Sequence, residues 1–172
     1  MMKIEENIVN KVAKSGLLTL DLAIYAPKEE IVIYDIKDNL FQGLILREKD
    51  FRAFIKDHNW EQYQDKHVGI VCSADAIIPT WAYMLLTTQL KPFAKSIHFA
   101  DKPRVLEALF NNAIAGIDFD AYKDQRVVVK GCGEVFIPES AFIEFTSRLL
   151  EVARSVMFGE PCSTVPVYKR KA

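Results

Sequence analysis

The feature of this chain that most constrains its fold is an internal similarity between two segments of 37 residues. Residues 63–99 align with residues 122–158 without a gap, at a constant offset of 59 positions (122 minus 63). Eleven of the 37 aligned positions are identical, well above the few matches that chance would give. The identical pairs are Tyr63/Tyr122, Asp65/Asp124, Val68/Val127, Ile78/Ile137, Pro79/Pro138, Ala82/Ala141, Thr87/Thr146, Leu90/Leu149, Ala94/Ala153, Ser96/Ser155 and Phe99/Phe158. We predict an internally duplicated structural unit.

Within each copy, the matched residues have the spacing of one helix face. Pro79, Ala82, Leu86, Leu90 and Ala94 recur at intervals of three or four residues, and proline suits a helix start. The runs before and after this helix are typical of buried strands: VGIVCS and SIHF in the first copy, VVVKGC and SVMF in the second. Each copy is therefore predicted to be a βαβ unit. The alternative is that two unrelated βαβ units share a packing face, although packing does not require the matched Tyr-x-Asp, Thr and Ser.

The rest of the chain is predicted to complete one α/β domain over residues 1–172. Its fold class is internally duplicated βαβ units that form a mixed, partly parallel sheet flanked by helices. Strands and a helix occupy residues 1–60, and a C-terminal tail occupies residues 159–172. The individual predicted elements are strands at residues 17–22 and 31–36 and helices at residues 7–14, 48–57 and 103–114.

Composition excludes several classes of protein. The chain has 22 Lys+Arg against 23 Asp+Glu, and this balance argues against a nucleic-acid partner. The apolar runs are too short or too interrupted to span a bilayer, and the first residues do not resemble a signal peptide, so we expect a cytoplasmic protein. An odd number of cysteines, three, does not make a disulfide framework. The oligomeric state is left open.

The three cysteines are the main candidates for chemistry. Cys72 and Cys132 lie in the strand-to-helix connectors of the two copies, and Cys162 follows the last strand of the second copy. The carboxyl ends of strands face the functional crevice of α/β sheets, and thiolates suit zinc or iron. One interpretation is therefore a metal site of Cys72, Cys132 and Cys162 that holds zinc, iron or an iron–sulfur cluster. Asp75 or Glu134 would be an additional ligand.

Two other interpretations of the cysteines stay open. Free cysteines at strand ends are usually small buried hydrophobic residues, and the chain would then be a non-catalytic protein-binding module with structural cysteines and an exposed apolar patch. Alternatively, Cys162 is the reactive thiol of an enzyme or sulfur carrier, because it lies outside the regular elements. Whether the chain is an enzyme is thus undecided, and Cys162 is the catalytic candidate.

The histidines give weaker indications. His58 lies in a loop and is expected to be exposed. His67 aligns with Arg126, which indicates a solvated strand end. His98 aligns with Met157, which indicates a packed position rather than a ligand.

The chain resembles an uncharacterised bacterial family, the domain of unknown function DUF2480, found mainly in Bacteroidetes. The resemblance covers nearly the whole chain, and its most specific strings are FQGLILREKDFR, VCSADAIIPTWAYMLL, KGCGEVFIPESAF and GEPCSTVPVYK. The family has no assigned activity. The resemblance implies a neighbourhood of SUF-type iron–sulfur assembly genes, and hence a role in cluster assembly with iron–sulfur assembly proteins as partners. The strings contain Cys72, Cys132 and Cys162, which favours the metal or thiol interpretation.

Each βαβ copy is also similar, more weakly, to part of a STAS-type domain. In such domains the strand-to-helix connector holds a regulatory serine, and Ser73 is the nearest match in this chain. The chain lacks the Asp-Ser-Ser-Gly type of sequence found there, so the resemblance extends only to the local fold and to Ser73.

Overall fold

A computed structural model describes residues 16–131 and 133–171, and in this part the chain is an α/β protein. The predicted α/β class with a mixed, partly parallel sheet is therefore confirmed, although the described strands form two sheets rather than one. The internal duplication stays a prediction, and the predicted helix at residues 7–14 lies outside the described residues. The strands are β1 (Leu17–Asp21), β2 (Ile31–Asp35), β3 (His67–Val71), β4 (Ser96–His98), β5 (Arg126–Lys130), β6 (Ser155–Glu160) and β7 (Ser163–Lys169). The helices are α1 (Glu48–Asp57), α2 (Thr80–Leu90), α3 (Lys102–Ala115) and α4 (Glu139–Val152).

The chain divides into two compact units, with the division inside α3. We call Pro27–Leu109 the central unit, and the described residues up to Ala26 and from Phe110 onward the terminal unit. That residues 1–172 form one domain stays a prediction. None of the helices in the described part of the chain has the length and apolar character that a membrane span requires.

The central unit contains a parallel three-stranded sheet in the order β2-β3-β4. Strand β3 pairs on both sides, with Ile31 and Ser96 both opposite His67. Four of its five residues are buried, Val68 and Ile70 as the apolar sequence predicts and His67 against the sequence expectation. Helix α2 is the crossover between β3 and β4. Its fully buried residues are Ala82, Leu86 and Leu90.

The terminal unit contains a four-stranded mixed sheet in the order β1-β5-β6-β7. Strands β1, β5 and β6 are parallel, with α4 as the crossover between β5 and β6, and β7 is antiparallel to β6. Strand β7 occupies half of the segment 159–172 that the sequence predicts to be a tail. Its signal is weak because it is an edge strand with Pro166 inside it and with Val165 and Val167 exposed.

The same backbone features recur at the 59-residue offset in the two units. Single 3₁₀ turns precede β3 and β5, at Trp60–Tyr63 and Phe119–Tyr122. Asp65 and Asp124 follow these turns with φ values of 59° and 57°. Their backbone N–H groups donate to carbonyl oxygens at equivalent positions, 3.0 and 2.9 Å away, just after α2 and at the end of α4. Each unit thus contains the predicted βαβ element, while descent from one duplicated segment stays a prediction.

Candidate functional site

The cysteines predicted to bind a metal are distributed over both units. Cys72 follows β3 in the central unit, where it is half-buried and its Sγ lies 3.5 Å from the carbonyl oxygen of Ala74, to which it donates. Cys162 is exposed, in the turn between β6 and β7 of the terminal unit. Cys132 lies outside the described residues.

The two carboxylates proposed as additional ligands, Asp75 and Glu134, are both exposed in their connectors. Within residues 16–131 and 133–171, no three His, Cys, Asp or Glu side chains come together as a set of metal ligands. The described residues therefore supply no complete donor set. Because Cys132 is not among them, a site for zinc, iron or an iron–sulfur cluster stays a prediction.

The connector that carries Cys72 is tied to the end of β2 through Ser73. Parallel pairing of β2 with β3 brings the carboxyl ends of the two strands together. The Asp35 carboxylate accepts hydrogen bonds from Ser73 Oγ at 2.5 Å and from Ser73 N and Lys37 N at 3.1 Å. Burial by itself raises the pKa of Asp35, but the hydrogen bonds from Ser73 and Lys37 outweigh it and hold the pKa below its ordinary value.

A cleft of about 270 Å³ opens beside Asp35 in the central unit. Three consecutive parts of the fold supply its walls: the end of β2, the 3₁₀ turn that follows it (Ile36–Asn39), and the end of α1 with the turn before β3. We call this the aromatic cleft. Its lining residues are Ile33, Tyr34, Asp35, Asp38, Asn39, Phe54, His58 and Tyr63.

The rings of the aromatic cleft meet at varied angles. His58 lies 4.7 Å from Phe54 and 6.3 Å from Tyr34 between ring centroids, the latter pair edge to face. The Tyr34 hydroxyl donates to Asn39 Oδ1 at 2.6 Å. Burial lowers the pKa of His58 and raises that of Tyr63, so at pH 7 the imidazole is neutral and the phenol is protonated. The charges that line the cleft are therefore those of two carboxylates.

Sequence reasoning missed the aromatic cleft. His58 was expected to be an exposed loop residue, but it is half-buried. One signal in the sequence could have indicated it. At the 59-residue offset the residue equivalent to His58 is Ile117, so the histidine is specific to the first segment.

His67 was also misread from the sequence. It was expected at a solvated strand end because it aligns with Arg126, but it is only 5% exposed. Its Nδ1 lies 2.7 Å from Ser96 Oγ, which lies 2.7 Å from His98 Nε2. Its Nε2 lies 3.6 Å from Glu29. The buried ring thus has a hydrogen-bond partner for Nδ1 on β4, and the Glu29 carboxylate before β2 lies within ion-pair distance of Nε2.

The contacts among Glu29, His67, Ser96 and His98 include the acid, histidine and serine of a hydrolytic triad, but the serine hydroxyl is not free to attack a substrate. Both imidazoles lie at hydrogen-bond distance from the Ser96 hydroxyl, so its proton and a lone pair are already engaged within the chain. Burial, with a smaller contribution from the charge of His67, lowers the pKa of His98. These contacts therefore form a partly buried polar network in which the Ser96 hydroxyl is engaged by both imidazoles. His98 is half-buried, in line with its predicted packed position.

The outer face of α4 in the terminal unit is apolar and exposed. Ile143 is 71% exposed and Leu150 is 41% exposed, although Phe145 and Leu149 on the inner face are fully buried. A shallow depression of about 410 Å³ lies on this outer face. Its lining residues are Phe142, Ile143, Thr146, Ser147 and Leu150. Helical spacing places them on one stripe. We call this the α4 stripe.

Exposed apolar side chains also recur at equivalent positions of the two units. The exposed pairs at the 59-residue offset are Ile77/Phe136, Met84/Ile143 and Phe99/Phe158. In each unit an aromatic ring of the helix packs edge-on against the phenylalanine after or in the following strand, at 5.2 Å for Tyr83–Phe99 and 5.8 Å for Phe142–Phe158. The core of each unit is formed by the opposite faces of its helices, so packing within the units does not account for these exposed residues.

Comparison with known proteins gives a family but no activity. No curated protein and no solved structure matches the chain. Residues 6–170 match the family described as "Protein of unknown function (DUF2480)", which covers nearly all of the 172 residues. The chain therefore belongs to the DUF2480 family, as its sequence strings indicated.

Proposed function

We propose that this protein is a non-catalytic protein-binding module that docks an amphipathic helix of a partner protein on the α4 stripe. The observation that carries the proposal is the exposure of Ile143 and Leu150, one helical repeat of seven residues apart, on either side of a shallow depression. Burial of these side chains by a partner would be favourable, and contiguous exposed apolar surface is typical of interaction sites.

The shape and composition of the α4 stripe favour a helix as the occupant. A partner helix presents apolar side chains three, four and seven residues apart, which is the spacing of Ile143, Thr146, Ser147 and Leu150. The depression is lined by no charged residue, so the contact would be apolar at its centre.

Charges on α4 indicate what should flank that helix. The sequence of α4 contains Glu139, Glu144 and Glu151 but a single basic residue, Arg148. Arg148 pairs with Glu144 at 2.7 Å, which leaves the helix with a net negative charge. A partner helix with lysine or arginine beside its apolar stripe would therefore be favoured over an acidic one, through a contribution that salt weakens.

The test uses the full chain and two synthetic helical peptides of equal length, one built from leucine and lysine and the other from leucine and glutamate. Fluorescence anisotropy of labelled peptides measures binding. We expect saturable binding of the lysine peptide, at least tenfold weaker binding of the glutamate peptide, and loss of binding in a chain with Ile143→Glu and Leu150→Glu.

Met84→Glu is the matched control, because Met84 is the exposed counterpart of Ile143 on α2 and Lys91 stands where α4 has Leu150. This variant should bind the lysine peptide as the unaltered chain does. Equal loss of binding in Met84→Glu, or no change in the double variant, would overturn the proposal. Self-association of the chain that disappears in the double variant would instead identify a second copy as the occupant.

A further inference from the structure

The aromatic cleft of the central unit has a composition that the fold itself does not require, and the terminal unit shows this. Strands β2 and β1 are equivalent in the two units. Asp35 at the end of β2 pairs with Val71, and Asp21 at the end of β1 pairs with Lys130, which lies 59 positions after Val71 (130 minus 71). Each residue of β2 and of the turn after it therefore corresponds to the residue of the terminal unit that lies 14 positions earlier (35 minus 21).

At most of the lining positions the terminal unit has a different residue. The replacements are Leu20 for Tyr34, Ile24 for Asp38, Tyr25 for Asn39, Ala113 for Phe54 and Ile117 for His58. At these places the terminal unit has four aliphatic residues and Tyr25, while Asp21 and Tyr122 stand at the positions of Asp35 and Tyr63. Tyr34 and Tyr63 also belong to the core of the central unit. The local fold therefore does not require Asp38, Phe54 or His58.

The aromatic cleft combines two features that attract cations. Tyr34, Phe54 and Tyr63 are among its lining residues, and a cation within about 6 Å of an aromatic ring centre is attracted by the negative face of the ring. Asp38, exposed at its rim, adds a carboxylate. The lining residues include neither lysine nor arginine.

The charges that face the cleft from each neighbouring element leave it negative. Lys37 Nζ lies 3.4 Å from Asp35 Oδ2 and offsets that carboxylate. His58, from the end of α1, is neutral at pH 7, and Tyr63 is protonated. Asp38 therefore supplies the charge that is left for a ligand. A volume of about 270 Å³ is slightly below the roughly 300–1,000 Å³ of most ligand pockets, so it suits a small head group.

We propose that the aromatic cleft binds an alkylammonium group, either of a free small molecule or of a methylated lysine side chain. The rings would contact the alkyl groups around the nitrogen, and Asp38 would balance the charge. This site lies in the central unit, whereas the docking surface proposed above lies in the terminal unit, so the two proposals succeed or fail separately.

The test is a calorimetric titration of the full chain at constant ionic strength with choline and with its neutral isostere, in which carbon replaces the charged nitrogen. The two molecules have nearly the same shape, so a difference in affinity reports the charge. We expect saturable binding of choline and about 2- to 30-fold weaker binding of the isostere, the range that cation–π attraction gives. No saturable binding of choline, or equal affinity for the isostere, would overturn the proposal.

Two variants locate the site. Asp38→Asn changes an exposed residue and should weaken choline binding several-fold without affecting folding. Tyr63→Leu should also weaken it, whereas Tyr122→Leu, which removes the equivalent buried ring from the terminal unit, should not. If Tyr63→Leu fails to fold, Asp38→Asn decides: unchanged choline affinity in that variant would contradict the proposal.

A trimethyllysine peptide and its unmethylated form distinguish the two sources of the cation. Tighter binding of the methylated peptide than of choline would favour a protein side chain as the natural occupant. The reverse order would favour a free small molecule.

Discussion

Three glycines of this chain offer a graded test of how tightly its units are packed. A Cβ atom added at Gly69 in β3 would lie 2.4 Å from the carbonyl oxygen of Ala100, 2.7 Å from Ile33 Cδ1 and 3.0 Å from Val105 Cγ2. Ile33 is partly exposed and can rotate away. The Ala100 oxygen belongs to the backbone and Val105 is fully buried, so Gly69→Ala requires a backbone shift.

The other two glycines lie on either side of residue 132. At Gly131 the nearest atoms that a Cβ would meet are side-chain ends, Ile137 Cδ1 and Phe142 Cζ at 2.7 Å and Phe142 Cε1 at 3.1 Å. At Gly133 it would meet nothing within 4 Å. The expected order of destabilisation is therefore Gly69→Ala, then Gly131→Ala, then Gly133→Ala.

The magnitudes follow from two opposing effects. Overpacking costs about 1–3 kcal/mol, and the backbone clash places Gly69→Ala toward the upper end. Replacing glycine by alanine also removes freedom from the unfolded chain, which stabilises the fold by about 0.4–1 kcal/mol. We expect a net loss of about 2 kcal/mol for Gly69→Ala, or a melting temperature of the central unit lower by roughly 8–16 °C. Gly133→Ala should be neutral or slightly stabilising.

The chain offers a probe specific to one unit. Both tryptophans, Trp60 and Trp81, lie in the central unit, so thermal unfolding followed by tryptophan fluorescence reports the unit that contains Gly69. Far-ultraviolet circular dichroism reports both units and serves for the other two variants. A melting temperature of Gly69→Ala at or above that of the unaltered chain would refute the packing argument, as would a larger loss in Gly133→Ala.

Two further predictions concern the Cys72 connector and Cys162. Ser73→Ala removes a hydrogen bond to the Asp35 carboxylate and should lower the free energy of unfolding by about 1–2 kcal/mol at neutral pH. Because the folded-state pKa of Asp35 is depressed, its contribution is present above the unfolded value of about 3.9 and is lost as the pH falls through the lower folded value. Denaturant titrations across that pH range should show the free energies of unfolding of Ser73→Ala and of the unaltered protein becoming equal as the pH falls. A difference that stays the same at every pH would contradict this account. Second, in a Cys132→Ser chain a thiol reagent should modify exposed Cys162 well before half-buried Cys72. Equal rates would contradict that expectation, and protection of Cys162 in the unaltered chain that a chelator abolishes would support the metal site.

Local sequence pattern was sufficient for the βαβ elements. Buried strands and a helix with one apolar face have short-range periods, so α1 and both crossover helices could be placed from spacing alone. Strand β7 could not, because an edge strand that buries little has no strong pattern to detect.

The sites depended on contacts between residues distant in sequence. The cluster of Glu29, His67, Ser96 and His98 exists because β4 pairs with β3 and the segment before β2 lies against them. An alignment of the two copies could not reveal this, because β5 has Arg126 at the position of His67.

The sequence by itself determined that two segments share one βαβ pattern and which faces of α2 and α4 form cores, because apolar periodicity depends on residues close together in the chain. Only the tertiary structure decided that these two segments have different surroundings. Strand pairing brought Tyr34, Asp38, His58 and Tyr63 around one cleft in the central unit, and it left Ile143 and Leu150 exposed in the terminal unit. Such convergence and such exposure depend on which elements become neighbours, and no single segment specifies that.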